Sequence, residues 1–71
     1  MKKLLNIEGM SCNHCVMHVK NALMDIEGVK GCQVSLSSNT AEVDMDKDID
    51  EEVLSNAVEE AGYNVSSIEN I

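Results

Sequence analysis

The stretch KLLNIEGMSCNHCVMHVKNALMDIEG, residues 3–28, changes its hydrophobic period at Gly9, and that change decides the fold. Before the glycine, Leu5 and Ile7 alternate with Asn6 and Glu8, which predicts a half-buried strand from Lys3 to Glu8. After it, from about Cys15 to Ile26, the apolar residues Val16, Val19, Leu23 and Ile26 recur at three- and four-residue steps and stack on one helical stripe. Gly28 marks the helix stop.

Downstream, the same two periods alternate again. Cys32, Val34 and Leu36 alternate with Gln33, Ser35 and Ser37; beyond Ser38-Asn39, Ala41, Val43 and Met45 alternate with Glu42, Asp44 and Asp46, which reads as a hairpin. Asp50 stands at an N-cap position, with Ile49 and Leu54 spaced to staple a second helix that carries Leu54, Ala57, Val58 and Ala61 inward and closes at Gly62. Tyr63 to Ile68 offers a fourth strand, weakened by Ser66-Ser67. The order strand, helix, strand, strand, helix, strand predicts an α+β, ferredoxin-like βαββαβ sandwich, a four-stranded antiparallel sheet with two helices on one face. The other sheet face is left to Glu, Asp, Ser and Gln.

Composition narrows the function classes. A chain of 71 residues has room for a single domain spanning residues 1–71, and we find no linker, repeat or low-complexity segment in it. Leu, Ile and Val number 18, enough to fold, but with no Phe, Trp or Pro the core rests on small aliphatic contacts. Thirteen acids against five bases give a formal net charge of −8, which disfavours nucleic acid and anionic membranes. Between Met1 and Asn6 the apolar run is only Leu4-Leu5, too short for a signal core or a membrane span, so the expected location is cytoplasmic with no direct membrane insertion. Three cysteines in a reducing compartment argue against a disulfide framework and for a metal-binding or redox pair at Cys12 and Cys15.

The chemistry sits in Gly9-Met10-Ser11-Cys12-Asn13-His14-Cys15, between the first strand and the first helix. Two thiols at this spacing turn toward one ion, and soft thiolates select Cu(I), with Zn(II), Cd(II) or Hg(II) as thiophilic competitors. A closed zinc site is disfavoured, because beyond the pair only Cys32, His14 and His18 remain and none forms a second C-x-x-C. Cys15 falls in the first helical turn, where free N–H groups and the helix dipole stabilise a thiolate.

Gly9 to Cys15, then Gly28-Val29, then Glu59-Glu60-Ala61-Gly62-Tyr63 together resemble the heavy-metal-associated domain family, in particular its small bacterial copper chaperones. The resemblance runs from about Lys3 to Val65. It implies Cu(I) held by Cys12 and Cys15 and delivered to the metal-binding domain of a copper-transporting P-type ATPase, Met10 tucked beneath the loop as a packing anchor, and Tyr63 near the metal. Zinc-exporting relatives often carry aspartate before the first cysteine; Ser11 stands there, which tilts the ion toward Cu(I). Mercury-binding periplasmic relatives carry an export signal that is not seen here.

The remaining polar residues have plainer readings. Cys32 shares the phase of Val34 and Leu36 and reads as a small buried hydrophobe. His14 is either a third ligand or partner-facing donor, or an exposed bystander, and His18 reads as a solvated imidazole beside the core stripe. Asp44, Asp46, Asp48 and Asp50 fail as a calcium loop, since Ile49 stands where glycine is needed and Ser55 where a bidentate glutamate is needed. Nine of the thirteen acids lie between Glu42 and Glu60 and read as a solvated face. A non-enzymatic Cu(I) carrier is therefore expected, monomeric when apo, with a copper-bridged dimer as the alternative on loading. The competing readings are a thiol–disulfide oxidoreductase with Cys12 as nucleophile and Cys15 resolving, and a metal-binding module of a larger heavy-metal transporter.

Overall fold

In a computed structural model that describes residues 1–71, the chain runs β1 (Lys2–Glu8), α1 (Asn13–Met24), β2 (Val29–Ser35), β3 (Thr40–Met45), α2 (Glu51–Glu60) and β4 (Asn64–Asn70). The strands form one antiparallel sheet in the order β2-β3-β1-β4, and both helices pack on one side of it, the ferredoxin-like βαββαβ arrangement. The core lies between these layers. Leu5 and Ile7 of β1, Val19 and Leu23 of α1, Val43 and Met45 of β3, and Leu54 and Val58 of α2 are buried together, and no polar side chain is buried with them. Lys3 shares the helix-facing side of β1, and its ammonium reaches outward to Glu51 at the start of α2, 3.3 Å away.

The first helix lies slightly differently from the periodicity, and the second is entered differently. α1 begins at Asn13 rather than near Cys15, because Cys12 is extended (φ −155°, ψ 171°) and its carbonyl already accepts the Val16 amide, as an N-cap carbonyl does. It ends at Met24 rather than Ile26. Gly28 then takes φ +101°, a conformation open to glycine, and a Cβ there would stand 2.7 Å from Lys47 Cε and 3.2 Å from Ile49 Cδ1. Asp50 does occupy the N-cap of α2, but its side chain makes no capping hydrogen bond; the entry is held instead by Ile49 and Leu54, both buried.

The Ser66-Ser67 pair that weakened the fourth strand sits at a register shift between β1 and β4. Asn6 pairs with Ser67 and Ile7 with Val65, so Ser66 is the extra residue of a bulge, and its hydroxyl donates to the Asn6 carbonyl at 3.1 Å. The strand continues past it to Asn70. A second shift, at Lys30, interrupts the pairing of β2 with β3.

Cys32 lies in the core, 9% exposed, and burial pushes its thiol up to about 11, against a small opposing pull from the Lys20 ammonium. It is protonated at neutral pH and is a poor metal donor. Cys32→Ala is expected to lower stability by roughly 1 to 2 kcal/mol, the scale of a small core truncation, while leaving metal stoichiometry unchanged. Urea denaturation and Cu(I) titration of the variant check the two halves, and a lost equivalent of copper would make Cys32 a ligand.

Candidate metal centre

Gly9 follows β1 with φ +101° and lets the chain turn sharply at the end of that strand, where a Cβ would meet the ring of Tyr63 at 3.4 Å. Met10 then drops back into the core, 6% exposed, and pins the loop from beneath. The turn and the anchor hold Ser11 and Cys12 outward at the mouth of α1. Cys12 is exposed and Cys15 half-buried, both reduced, with their sulfurs 3.4 Å apart. A cysteine at the N-cap makes no side-chain cap, so its sulfur is free for another partner.

The electrostatics favour a thiolate. Cys15 is drawn down from 9.0 to about 6, first by the Ser11 backbone amide, then by the Tyr63 hydroxyl and the Cys12 thiol, with the Cys12 amide adding to them and burial opposing. Because the folded value lies below the unfolded one, this thiolate contributes stability that is fully present above pH 9.0 and is lost as pH falls through about 6. Tyr63 is pushed above its ordinary value, chiefly by the hydrogen bond it gives to Cys15. No acid occupies the first turn of α1, and residues 9–24 contain no Asp or Glu at all, so no carboxylate of this segment competes with the Cys15 thiolate for the positive end of the helix.

Removing the phenol isolates its share. Tyr63→Phe is expected to raise the Cys15 value from about 6 toward 9.0 and to slow alkylation of the apo protein by iodoacetamide severalfold near pH 6. A pH profile of alkylation checks this, and an unchanged midpoint would leave the Ser11 and Cys12 amides and the Cys12 thiol as the whole cause.

The geometry also constrains coordination. At metal–sulfur distances near 2.3 Å, a linear ion between two thiolates spaces the sulfurs about 4.6 Å apart, so the pair must open by about 1 Å to take one. That movement is the size of a side-chain rotation on an exposed loop. His14 projects from the first turn of α1 into solvent, and no third His, Cys, Asp or Glu joins the two sulfurs in one group. Tyr63 does stand at the site. What residue types alone could not indicate is the part taken by the backbone: the Ser11 and Cys12 amides are positioned by the Gly9 turn, and glycine followed by a buried methionine was the only signal of that turn.

Comparison with known proteins agrees with this architecture. The family model of the heavy-metal-associated domain matches residues 4–64. The copper chaperone CopZ of Staphylococcus haemolyticus is 39% identical over 66 residues, covering 92% of this chain and 97% of the relative. A CopZ metallochaperone structure superposes with a TM-score of 0.86 at 36% identity, over 92% of this chain and 98% of that one. The copper-binding domain of HMA7, a P-type ATPase, superposes with a TM-score of 0.85 at 32% identity, over 99% and 100%.

Proposed function

The chain belongs to the heavy-metal-associated domain family, and from that premise we propose that it is a cytoplasmic Cu(I) chaperone, holding one ion between Cys12 and Cys15 and passing it to the metal-binding domain of a copper-transporting P-type ATPase. The observation that carries this reading is the thiol pair, 3.4 Å apart at the start of α1, with one sulfur drawn down to about 6. Two thiolates and one Cu(I) make an anion of charge minus one, which the helix end and the Ser11 amide stabilise. Met10 and the Gly9 turn keep the loop fixed, while Tyr63 covers one side.

Transfer proceeds by ligand exchange. With two protein ligands and an open face, the bound ion accepts an incoming thiolate, passes through a three-coordinate state shared between the two proteins as one of its own sulfurs departs, and leaves when a second incoming thiolate displaces the other. No free ion is released. The similarity between this chain and a P-type ATPase copper-binding domain supports such an exchange between like sites, where neither partner need bind copper much more tightly than the other. The same soft pair would also take Zn(II), Cd(II) or Hg(II), with Cu(I) favoured because no carboxylate joins the sulfurs. The chain is expected to be monomeric when apo, and sedimentation of the loaded form distinguishes a monomer from a copper-bridged pair.

The test is anaerobic transfer from the loaded chain to a separately purified copper-binding domain of a P-type ATPase, in the presence of a Cu(I) chelator that traps free ion. Copper should reach the acceptor domain faster than it reaches the chelator, and more slowly as salt rises, because the charge of −8 steers encounter with a basic surface and is screened over about 8 Å at physiological ionic strength. Loss of copper to the chelator alone would sink the chaperone reading. Rapid turnover of insulin disulfides without tight Cu(I) binding would replace it with the oxidoreductase one.

A further inference from the structure

The chain has two histidines, both on α1, four residues apart and both exposed. Side chains at this spacing stand one above the other, with β carbons about 6 Å apart, and at 3.6 residues per turn they leave the helix axis within about 40° of each other. Met17, 57% exposed, and Asn21 share the face, and neither imidazole is tied into a hydrogen bond or salt bridge with the rest of the fold. An ion with metal–nitrogen bonds near 2.0 Å brings two nitrogens about 3 Å apart, a distance that imidazoles mounted in this way reach by side-chain rotation.

We propose that His14 and His18 form a second metal site, a two-imidazole clamp across one turn of α1 that takes a borderline divalent ion, Ni(II), Zn(II) or Cu(II), independently of the thiol pair. Neutral imidazole suits these ions, whereas the paired thiolates suit softer ones, so the two sites differ in chemistry as well as in place. Residues 9–24 contain no Asp or Glu, so what binds here is bound by nitrogen and is distinguishable from ions gathered by the acids of α2 and the β2–β3 hairpin. No third His, Cys, Asp or Glu completes the pair, and water fills the other positions. The site is therefore weaker than the thiols and exchanges faster, and its occupant braces the first two turns of α1 within a turn of Cys15.

The probe is Ni(II), titrated calorimetrically into the full-length Cys12→Ser/Cys15→Ser double variant so that the thiolates do not compete. One equivalent should bind, and the paramagnetic ion should broaden the ring-proton signals of both histidines ahead of all others. On that background His14→Gln and His18→Gln should each weaken binding by about tenfold or more, since either change removes one of two protein donors. The wild-type chain preloaded with Cu(I) should give the same isotherm, a result that does not depend on where its copper is delivered. The inference is overturned if either histidine variant binds Ni(II) as its parent does, or if the first signals to broaden belong to Asp and Glu side chains. Should the double variant fail to fold, protection of His14 and His18 from diethylpyrocarbonate by Ni(II) in the Cu(I)-loaded wild type decides the question: both are protected, or the site does not exist.

Discussion

Cys15→Ser, or Cys12→Ser, is expected to lower the Cu(I) affinity of the reduced chain by about 10³-fold, on the order of 4 kcal/mol. One thiolate alone leaves a soft cation with a single anionic donor, and nothing nearby replaces the lost one: a serine hydroxyl does not ionise, no third donor joins the sulfurs, and the Cys32 thiol is buried and pushed up to about 11. Cys15→Ser should be the more damaging change, because Cys15 is the sulfur that the Ser11 amide and Tyr63 hold as thiolate. Anaerobic titration against a Cu(I)-chelating indicator checks this. The wild type should saturate near one equivalent, and tight binding that survives both substitutions would remove the site from Cys12 and Cys15.

The second large effect lies in the core. Leu54 is fully buried under α2, in contact with a cluster that contains no large aromatic side chain, so Leu54→Ala leaves a cavity that few neighbours can swing in to fill. The expected cost is about 3 kcal/mol, within the 2 to 5 kcal/mol typical of such truncations. For a domain of this size, whose total stability stands near the lower end of the usual 5 to 15 kcal/mol, about half of the apo stability is then lost. A ligand that binds only the folded chain restores about 4 kcal/mol at a thousandfold excess over its dissociation constant. The variant should therefore unfold at much lower urea than wild type when apo and recover most of the difference when loaded with Cu(I). A shift below about 1 kcal/mol in the apo variant would mean that the core relaxes around the missing atoms.

Much of this architecture was legible because the periodicities were clean. Leu5 and Ile7 against Asn6 and Glu8, then Val16, Val19 and Leu23, leave one way to bury a strand and a helix together, and the repeat of that pattern after Gly28 sets the order of elements. The helix start was less legible. Cysteine is not a usual N-cap, and nothing in its residue type tells that Cys12 would be extended with its carbonyl already bonded to Val16. Asp50 shows the converse: a favoured capping residue stands in the right place without making the side-chain cap, while Ile49 before it and Leu54 after it are both buried. The Ser66-Ser67 pair weakened the expected fourth strand, and Ser66 is a bulge within it, a distinction that depends on which residue of β1 stands opposite. At the site, residue types pointed to Cys12 and Cys15, while the fall of Cys15 to about 6 comes first from a backbone amide, which every residue but proline carries and no composition reveals.

The two bulges bear on how crowded copies of this protein behave. β2 and β4 are the open edges of the sheet, and each is joined to its inner neighbour through a register shift, at Lys30 and at Ser66. An open edge invites strands of another molecule to add by backbone hydrogen bonding, which is how ordered aggregates grow. A bulge bends and overtwists the strand that carries it, so a straight incoming strand finds only a few residues in register before the edge turns away, and a lysine at the shift adds the cost of burying a charge. Were two molecules to share an ion through their thiols, their contact would thus be expected at the ends that hold the sulfurs and not along the sheet. What the irregular edges secure is a sheet whose two sides resist the addition of another molecule's strand.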